Sequence, residues 1–481
     1  MSFAPVLVVG AGPGGLTAAL TLARYGVPVL VVERRQVLSG LPRATGVSLR
    51  SMELFRRFGV EPALLEGGID VEWTSRAGRT LATMEQGRTL SLGYPTRAES
   101  ARLSPSMPAV VPQDHLEPVL LRRLLEHDCA RVSLGTEVVA VRQGEDDVRV
   151  TLRDTSTGQV RDALAEHVIA ADGAHSVVRE AVGVGMVGPD RLTDAVSVLF
   201  QAPLWDVVGE HRHGLYLIGH EEAAGVLLPA GSGDRWLYGA LWSPDGPPPS
   251  SFDREDVVRR IRLATGVPDL RVRLETSGRF TFAAQVADAF RSGRVFLVGD
   301  AAHRVTPRGG TGMNTAILDG HDLGWKLAWV LNAWSTPTLL DSYESERRPI
   351  AEHNAARSAL PDGASAPPAQ ELHADLVGRL PHVWVRDGRQ DVSSLDLLGP
   401  GLTVLASDGE PWREAARSLP VPVCVRAVGP VTAGALGVPD EGAVVVRPDG
   451  AVVGLGRRGE AARTELRRAW EAVGQPEAVL V

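Results

Sequence analysis

Short continuous apolar runs alternate along this chain with longer stretches whose apolar positions recur every three to four residues. Val6–Val9 reads as a buried strand, Leu16–Tyr25 as a helix and Val29–Glu33 as a second strand, a βαβ opening. Leu116–Glu126 has helical spacing, and two extended segments follow it, Val132–Gln143 and Val148–Arg153. Val168–Ala171 is a short apolar strand that runs into Asp172-Gly173. From about Val196 to Trp242 the pattern alternates and is rich in aromatic and β-branched residues, which predicts an antiparallel sheet closed by the loop SPDGPPPSS. Arg294–Val298 returns to a buried parallel-type strand, followed by a long helix over Asn314–Asn332. The Pro/Ala/Gly-rich LPDGASAPPAQ reads as a linker. Beyond it, LGPGLTVLAS, VPVCVRAVG and GAVVVRPDGAVVGLG predict strands with a hairpin at Asp449-Gly450, and a final helix covers Glu460–Ala472.

The fold class that follows is α/β, or α+β over the whole chain. With 481 residues and 44% apolar content the chain can bury several cores. The net charge of −8 argues against a nucleic-acid or anionic-membrane partner. No apolar run reaches the roughly twenty residues of a membrane span. The N-terminus goes straight into a strand, so no secretory leader is expected. Cys129 and Cys424 lie far apart with no CxxC, which fits a reducing cytoplasm better than a disulfide framework or a structural zinc. Nearly all positive charge is arginine, and Lys326 is the only lysine.

Two glycine-rich stretches carry chemistry. VLVVGAGPGGLTAAL sets Gly10, Gly12 and Gly15 between a strand and a helix, where they permit a tight turn, close approach of a pyrophosphate and close helix–strand contact. Glu33, at the end of the second strand, is placed to accept hydrogen bonds from a ribose. NAD and FAD both remain open at this point. Two further matches are set aside. Gly183, Gly185 and Gly188 follow a helix instead of a strand, and Gly454, Gly456 and Gly459 follow a hairpin with no βαβ unit to complete. The second stretch is FLVGDAAHRVTPRGGTGMNTAI. If the dinucleotide is FAD, Asp300 at the strand end can offer a carboxylate to the ribityl hydroxyls. The small residues Gly309, Gly310 and Gly312 let backbone amides approach a flat ring, and the helix N-terminus favours negative charge there.

The second stretch resembles the second flavin motif of the group A flavoprotein monooxygenases, the aromatic hydroxylases of para-hydroxybenzoate hydroxylase type. The motifs GAGPGG and VIAADGAHSVVRE stand in family order ahead of it. The segment RATGVSLRSMELFRRFGV and the C-terminal domain look most like hydroxylases that tailor aromatic polyketides. The resemblance implies a Rossmann-type FAD-binding domain from residues 1–72, 106–182 and 285–360. It also implies an antiparallel-sheet substrate domain from 73–105 and 183–284, a linker over 361–394, and a thioredoxin-like domain without CxxC over 395–481. It implies FAD contacts from Gly10, Gly12, Gly14, Gly15, Glu33, Arg34, Arg43, Gln113, Asp172, Arg179, Asp300, Pro307, Gly310, Gly312, Met313 and Asn314. For Gln113 and Asp172 the plain alternative is helix capping.

Where the family commonly carries a small residue, this chain has Arg308, and Arg308 with Pro307 is the expected catalytic contributor, meeting a phenolate or the flavin's developing charge, with a side chain turned outward to solvent as the alternative. His303 is expected to pack or hydrogen-bond near the flavin. Leu228, Trp236 and Tyr238 are candidate substrate-lining residues, with core packing as the alternative. The implied activity is oxygenation of a polycyclic aromatic polyketide through a C4a-hydroperoxyflavin, with FAD, diffusible NADPH or NADH, and O2, in a cytoplasmic monomer or homodimer. Baeyer–Villiger or rearranging oxygenation, and a redox-idle flavoprotein binding module, are the alternatives. No metal is expected.

Overall fold

The computed structural model describes residues 2–91, 93–242, 253–360, 376–387, 390–440, 442–456 and 461–473. The expected loop at 243–251 and the linker core at 361–370 lie outside the described residues. The βαβ opening forms as Ser2–Val9, Pro13–Arg24 and Val29–Glu33, the helix starting three residues earlier than the pattern suggested because Pro13 occupies its first turn. Four parallel strands make the centre of this sheet, in the order Val295–Leu297, Val160–Ala170, Ser2–Val9, Val29–Glu33, with Ala130–Leu134 parallel beyond them. The extended segments Thr136–Gln143 and Val148–Asp154 form an antiparallel hairpin on Val160–Ala170. The central strands are buried on both faces, which is why their sequence is continuous Val and Leu.

One face of this sheet is covered by two helices that touch at glycines. Pro13–Arg24 lies against the 20-residue helix Gly312–Leu331. A Cβ on Gly320 would stand 2.2 Å from the Gly14 carbonyl oxygen, and one on Gly324 would stand 2.7 Å from the Thr21 Cβ. Backbone meets backbone here, and no side chain larger than hydrogen fits.

The second unit is a seven-stranded sheet in which Thr193–Gln201 is flanked antiparallel by Arg273–Phe282 and Arg235–Trp242. Gly225–Pro229, His213–Ile218, Glu72–Gly78 and Arg88–Ser91 continue it. One face carries its own core under the helix Arg254–Thr265, and the other turns toward the first unit.

The C-terminal sheet runs Val423–Ala427, Leu402–Ala406, Ala443–Val446, Val452–Gly456, one parallel pair followed by antiparallel ones, with helices Glu410–Ala416 and Ala461–Ala472. The linker expected over 361–394 is structured in its second half, where Trp384–Asp387 and Gln390–Ser393 pair as a hairpin. Polar, proline-poor sequence there gave no periodic signal. The C-terminal core is not self-contained. Trp325 and Trp329 of the long helix belong to the same apolar cluster as Leu402, Val404, Trp412 and Leu466. Among the described residues no helix is long and apolar enough to cross a membrane.

Gly320→Ala is expected to cost about 1–3 kcal/mol or more of stability, because the contact is with backbone that cannot step aside. Gly434→Ala, which meets open space in a short helix, is the control. Thermal unfolding of both variants measures the difference, and equal midpoints would remove the glycine contact from its central place.

Candidate active site

The first glycine loop is built as the spacing required. Gly10 has φ 105°, and a Cβ there would stand 2.3 Å from the Ala171 carbonyl oxygen; a Cβ on Gly15 would stand 2.1 Å from the Gly10 carbonyl. A Cβ on Gly14 would meet Ala316 O and Val298 at 2.9 Å. Gly12 differs, since nothing lies within 4 Å of its Cβ direction. Three glycines are needed for packing, and the fourth faces open space at a helix N-terminus. That is room for a pyrophosphate, which the first-turn amides can bind. Glu33 ties the loop from below, accepting the Ala11 amide at 3.0 Å and the Arg35 amide at 2.9 Å. Each oxygen keeps a lone pair for a ribose hydroxyl. Arg34 beside it is exposed.

Asp300 follows the strand Val295–Leu297, whose end packs on this loop through Val298 against Gly14. Its carboxylate is open to solvent, while the protein around it desolvates it enough to raise its pKa against the pull of His303, Arg304 and Arg43. Arg43 also acts on Glu117, whose own pKa is raised by burial and restrained by a hydrogen bond from Gln113. Exposed Arg43 therefore sits between Asp300 and the Gln113–Glu117 pair, and these groups line one cleft. Gln113 is the first residue of the helix Gln113–Leu125, not a cap before it. Its amide nitrogen donates to Glu117 Oε1 at 2.7 Å.

The strand end that presents Asp300 is held by a buried cluster of Asp319, His303 and Arg347. Asp319 accepts from His303 Nε2 at 2.6 Å, from Arg347 Nε at 2.8 Å and from the Gly299 amide at 3.3 Å. Burial alone would raise the Asp319 pKa, and His303 with Arg347 overcome it and hold it low. His303 is wholly buried and serves as a strut.

Pro307-Arg308-Gly309-Gly310 is a turn closed by the Gly310 amide on the Pro307 carbonyl at 3.1 Å, with Gly309 at φ 84° and Gly310 at φ 65°. Gly312 opens the helix that follows, and Met313 is buried within its first turn. Asn314 was expected to touch the flavin, yet its side-chain amide is spent on protein. Its Oδ1 accepts the Ser48 amide at 2.8 Å and Ser51 Oγ at 2.9 Å, and its Nδ2 donates to Gly46 O at 3.0 Å and Gly310 O at 3.2 Å. Asn314 ties the loop, its helix and the start of the helix Leu49–Phe58 into one knot. Thr311 Oγ1, buried in the same loop, has no partner within the protein.

Several expected contacts resolve differently. Asp172 turns onto its own helix, accepting Ser176 Oγ at 2.5 Å and the Val178 amide at 3.2 Å, the capping alternative. Arg179 is buried and its guanidinium donates to the carbonyls of Ala174 and Ala301. Arg308 reaches away from the helix start. Its Nη1 donates to the carbonyls of Ala359 and Leu360, both at 3.3 Å, and the guanidinium lies 5.6 Å from the Phe282 ring centroid. This arginine braces the glycine loop between the C-terminal end of Ser342–Ala359 and the sheet.

The sheet's two faces correct the lining residues. Leu227 pairs in register with Tyr238 and Pro229 with Trp236, so these share a face. That face is core: Trp236 is 0% exposed and tilts against Trp205 at 4.6 Å. Tyr238 donates to the Ala223 carbonyl, and burial pushes its pKa up to about 12. The opposite face carries Leu228, paired with Leu237, together with Phe280 and Phe282, which stack at 5.5 Å. Phe282 under Arg308 shows that this face meets the glycine loop. Leu228 stays a lining candidate; Trp236 and Tyr238 do not, because strand alternation puts them on the far side.

Two residues that sequence patterns missed complete the wall. Trp73 and Tyr94 pack at 4.6 Å over Gly46, and the Tyr94 hydroxyl donates to Gly310 O at 3.1 Å. Each stands alone in a segment without periodicity, so only the fold brings them to the loop.

Residues 4–358 match the family model for an FAD binding domain, and residues 374–476 match that for the C-terminal part of an aromatic-ring hydroxylase. The chain belongs to the FAD-dependent aromatic-ring hydroxylases. It is 34% identical to the tetracenomycin A2 monooxygenase-dioxygenase of Streptomyces glaucescens, over 88% of this chain and 87% of that protein. It is 36% identical to the aklavinone 12-hydroxylase RdmE of Streptomyces purpurascens, over 88% of each chain. Its fold matches the crystal structure of an aklavinone-11 hydroxylase in ternary complex with FAD and aklavinone, with a TM-score of 0.87, 32% identity and 98% of both chains covered. FAD is therefore the dinucleotide of this aromatic-ring hydroxylase. The open direction at Gly12, the exposed carboxylate of Asp300 and the unpartnered Thr311 hydroxyl are consistent with that group.

Asn314→Ala removes the side-chain partner of the Ser48 amide, the Ser51 hydroxyl and the Gly46 carbonyl, while Gly310 O keeps Tyr94; each buried group left unpaired costs about 1–3 kcal/mol. FAD binding, followed by fluorescence titration, is expected to weaken by at least about tenfold, one 1.4 kcal/mol step. An unchanged dissociation constant would show the knot to be dispensable.

Asp319 supplies a pH signature. Its folded pKa lies below the unfolded value of about 3.9, so its stabilisation is present above that pH and is lost as pH falls through the folded value. Denaturant titrations should give a stability gap between the parent and Asp319→Asn that is wide at pH 7 and narrows below about pH 4. A gap independent of pH would contradict the assignment.

Proposed function

We propose that this aromatic-ring hydroxylase oxygenates a polycyclic aromatic polyketide, using NADPH or NADH as a diffusible donor and O2 as oxidant. The observation that carries the reading is the apposition of the flavin loop to an apolar sheet face. The loop Gly309–Gly312 offers backbone instead of side chains. The sheet face that meets it through Phe282 and Arg308 also carries Leu228, Leu237 and Phe280, and Trp73 and Tyr94 stand beside the loop. A flat, electron-rich ring system suits such a slot. The aklavinone in the similar ternary complex is a ligand of that kind.

Bound FAD, once reduced by NADPH or NADH, would supply the two electrons that activate O2, one oxygen atom of which goes to the substrate and the other to water. The protein's part is placement and polarity. The N-terminus of Pro13–Arg24 holds the pyrophosphate at Gly12, and Asp300 orients the ribityl chain. The N-terminus of Gly312–Leu331 would favour negative charge on a flavin ring held at the loop before it, by about 0.3–1 kcal/mol. The apolar face keeps water from the reacting centre. Arg308 acts as a brace that fixes loop against sheet, so its replacement by Ala is felt as loosened positioning.

The test is anaerobic reduction of the bound flavin by NADPH, with and without aklavinone or another polycyclic aromatic polyketide. One compound is expected to speed bleaching by about tenfold or more, a 1.4 kcal/mol change in barrier. Equally fast reduction without any compound would favour the Baeyer–Villiger or rearranging alternative. Bound flavin that never reduces would leave the redox-idle binding module.

A further inference from the structure

The back of the flavin helix carries a charge cluster that the oxygenation chemistry does not use. Lys326, the chain's only lysine, is wholly buried. Its ammonium lies 2.8 Å from Asp322 on the same helix and 3.2 Å from Glu346 on Ser342–Ala359. Arg447, at the end of the C-terminal strand Ala443–Val446, donates to both oxygens of Glu346 at 2.9 and 2.8 Å and to Asp449. Both cations lie over Trp325, Lys326 at 5.6 Å and Arg447 at 5.3 Å. Asp322, Glu346 and Asp449 stand close enough together to hold a metal ion, but Lys326 and Arg447 already neutralise them.

The same hairpin turn is gripped from the other side. Arg50 donates to the Asp449 carbonyl at 3.2 Å and Arg57 to that of Pro448. Trp329 Nε1 donates to Pro400 O at 3.1 Å. The front of the helix, at Gly320 and Gly324, is pressed on Pro13–Arg24 without slack. One rigid 20-residue rod is thus fixed on one side by glycine contacts and on the other by the C-terminal domain. Lys326 and the Gly312 end that meets the flavin are separated by roughly 21 Å along it. A rod held this way transmits any tilt at its far end to its N-terminus.

We propose that the Arg447–Asp449 turn of the C-terminal domain is a positioning element for flavin binding, plugging onto Lys326 and Glu346 to fix the angle at which the helix N-terminus meets the ring. The domain's role is then mechanical, and its single cysteine is irrelevant to it. The role toward the flavin rests on the FAD site proposed above, whereas the burial of Lys326 under the turn is read out without it.

The solitary lysine supplies the first. Full-length holoprotein is treated with trinitrobenzenesulfonate, and mass spectrometry separates Lys326 from the N-terminal amine. The parent is expected to label at the terminus alone. Arg447→Ala should label Lys326 at least about tenfold faster, and Arg447→Lys should restore part of the protection. The second readout is the FAD dissociation constant together with the midpoint potential and visible spectrum of the bound flavin. Arg447→Ala is expected to weaken FAD by about tenfold or more and to shift potential and spectrum, as merely lowered stability would not. Asp449→Asn, which keeps the side chain's shape, carries the same two readouts if Arg447→Ala does not fold. Unchanged labelling would overturn the plug. Faster labelling with unchanged flavin affinity, potential and spectrum would overturn its role toward the flavin while leaving the FAD site intact.

Discussion

The close approach of two helices at Gly14, Gly320 and Gly324 is the constraint on which the rest depends. The helix Pro13–Arg24 starts at Gly12, where the proposed pyrophosphate site opens, and the helix Gly312–Leu331 starts at the second glycine loop, the proposed seat of the flavin ring. Their relative position fixes the distance between the two halves of one cofactor. A carbonyl oxygen 2.2 Å from a would-be Cβ leaves no other spacing for the pair. Thr21 adds a hydrogen-bonding contact to His321 at 3.3 Å across the same seam.

Around this seam the polar groups of the cleft divide into those that face it and those that hold it. Asp300, Arg43 and Gly12 face the open space. Asp319, His303, Arg347 and Asn314 are buried and bond to one another or to neighbouring protein groups, although His303 Nδ1 has no partner. Losing one member of such a buried set is expensive, about 3–5 kcal/mol for an ion partner, so these groups keep their neighbours in one geometry. Arg308 belongs with the second class, because its guanidinium is committed to two helix-end carbonyls and an aromatic face.

The active-site slot arises between units that share little sequence logic. Its floor is glycine backbone, its roof is one face of an antiparallel sheet, and its side is an aromatic pair from a short hairpin region. The tryptophan and tyrosine of the strand Arg235–Trp242 looked like the better lining residues, yet strand alternation turned them to the sheet's private core. Trp73 and Tyr94, twenty-one residues apart in sequence, do reach the loop.

The sequence alone determined the βαβ opening, the positions of both glycine loops and the carboxylate between them, because each shows in the order of strand, glycine turn and helix along the chain, even though Gly10 and Gly14 pack on distant residues. Periodicity and glycine spacing encode such local geometry directly. It also exposed the decoy glycine patterns, since a pyrophosphate site needs a strand before it and a helix after it. Tertiary structure alone decided which sheet face lies toward the second glycine loop, and the turning of Asp172, Arg179 and Arg308 onto protein groups. It also made Trp325 and Trp329 the floor of the C-terminal core and buried Lys326 beneath a hairpin more than a hundred residues away. Those outcomes depend on which elements come to lie beside one another, and a side chain's partner across such a seam leaves no periodic trace in either segment.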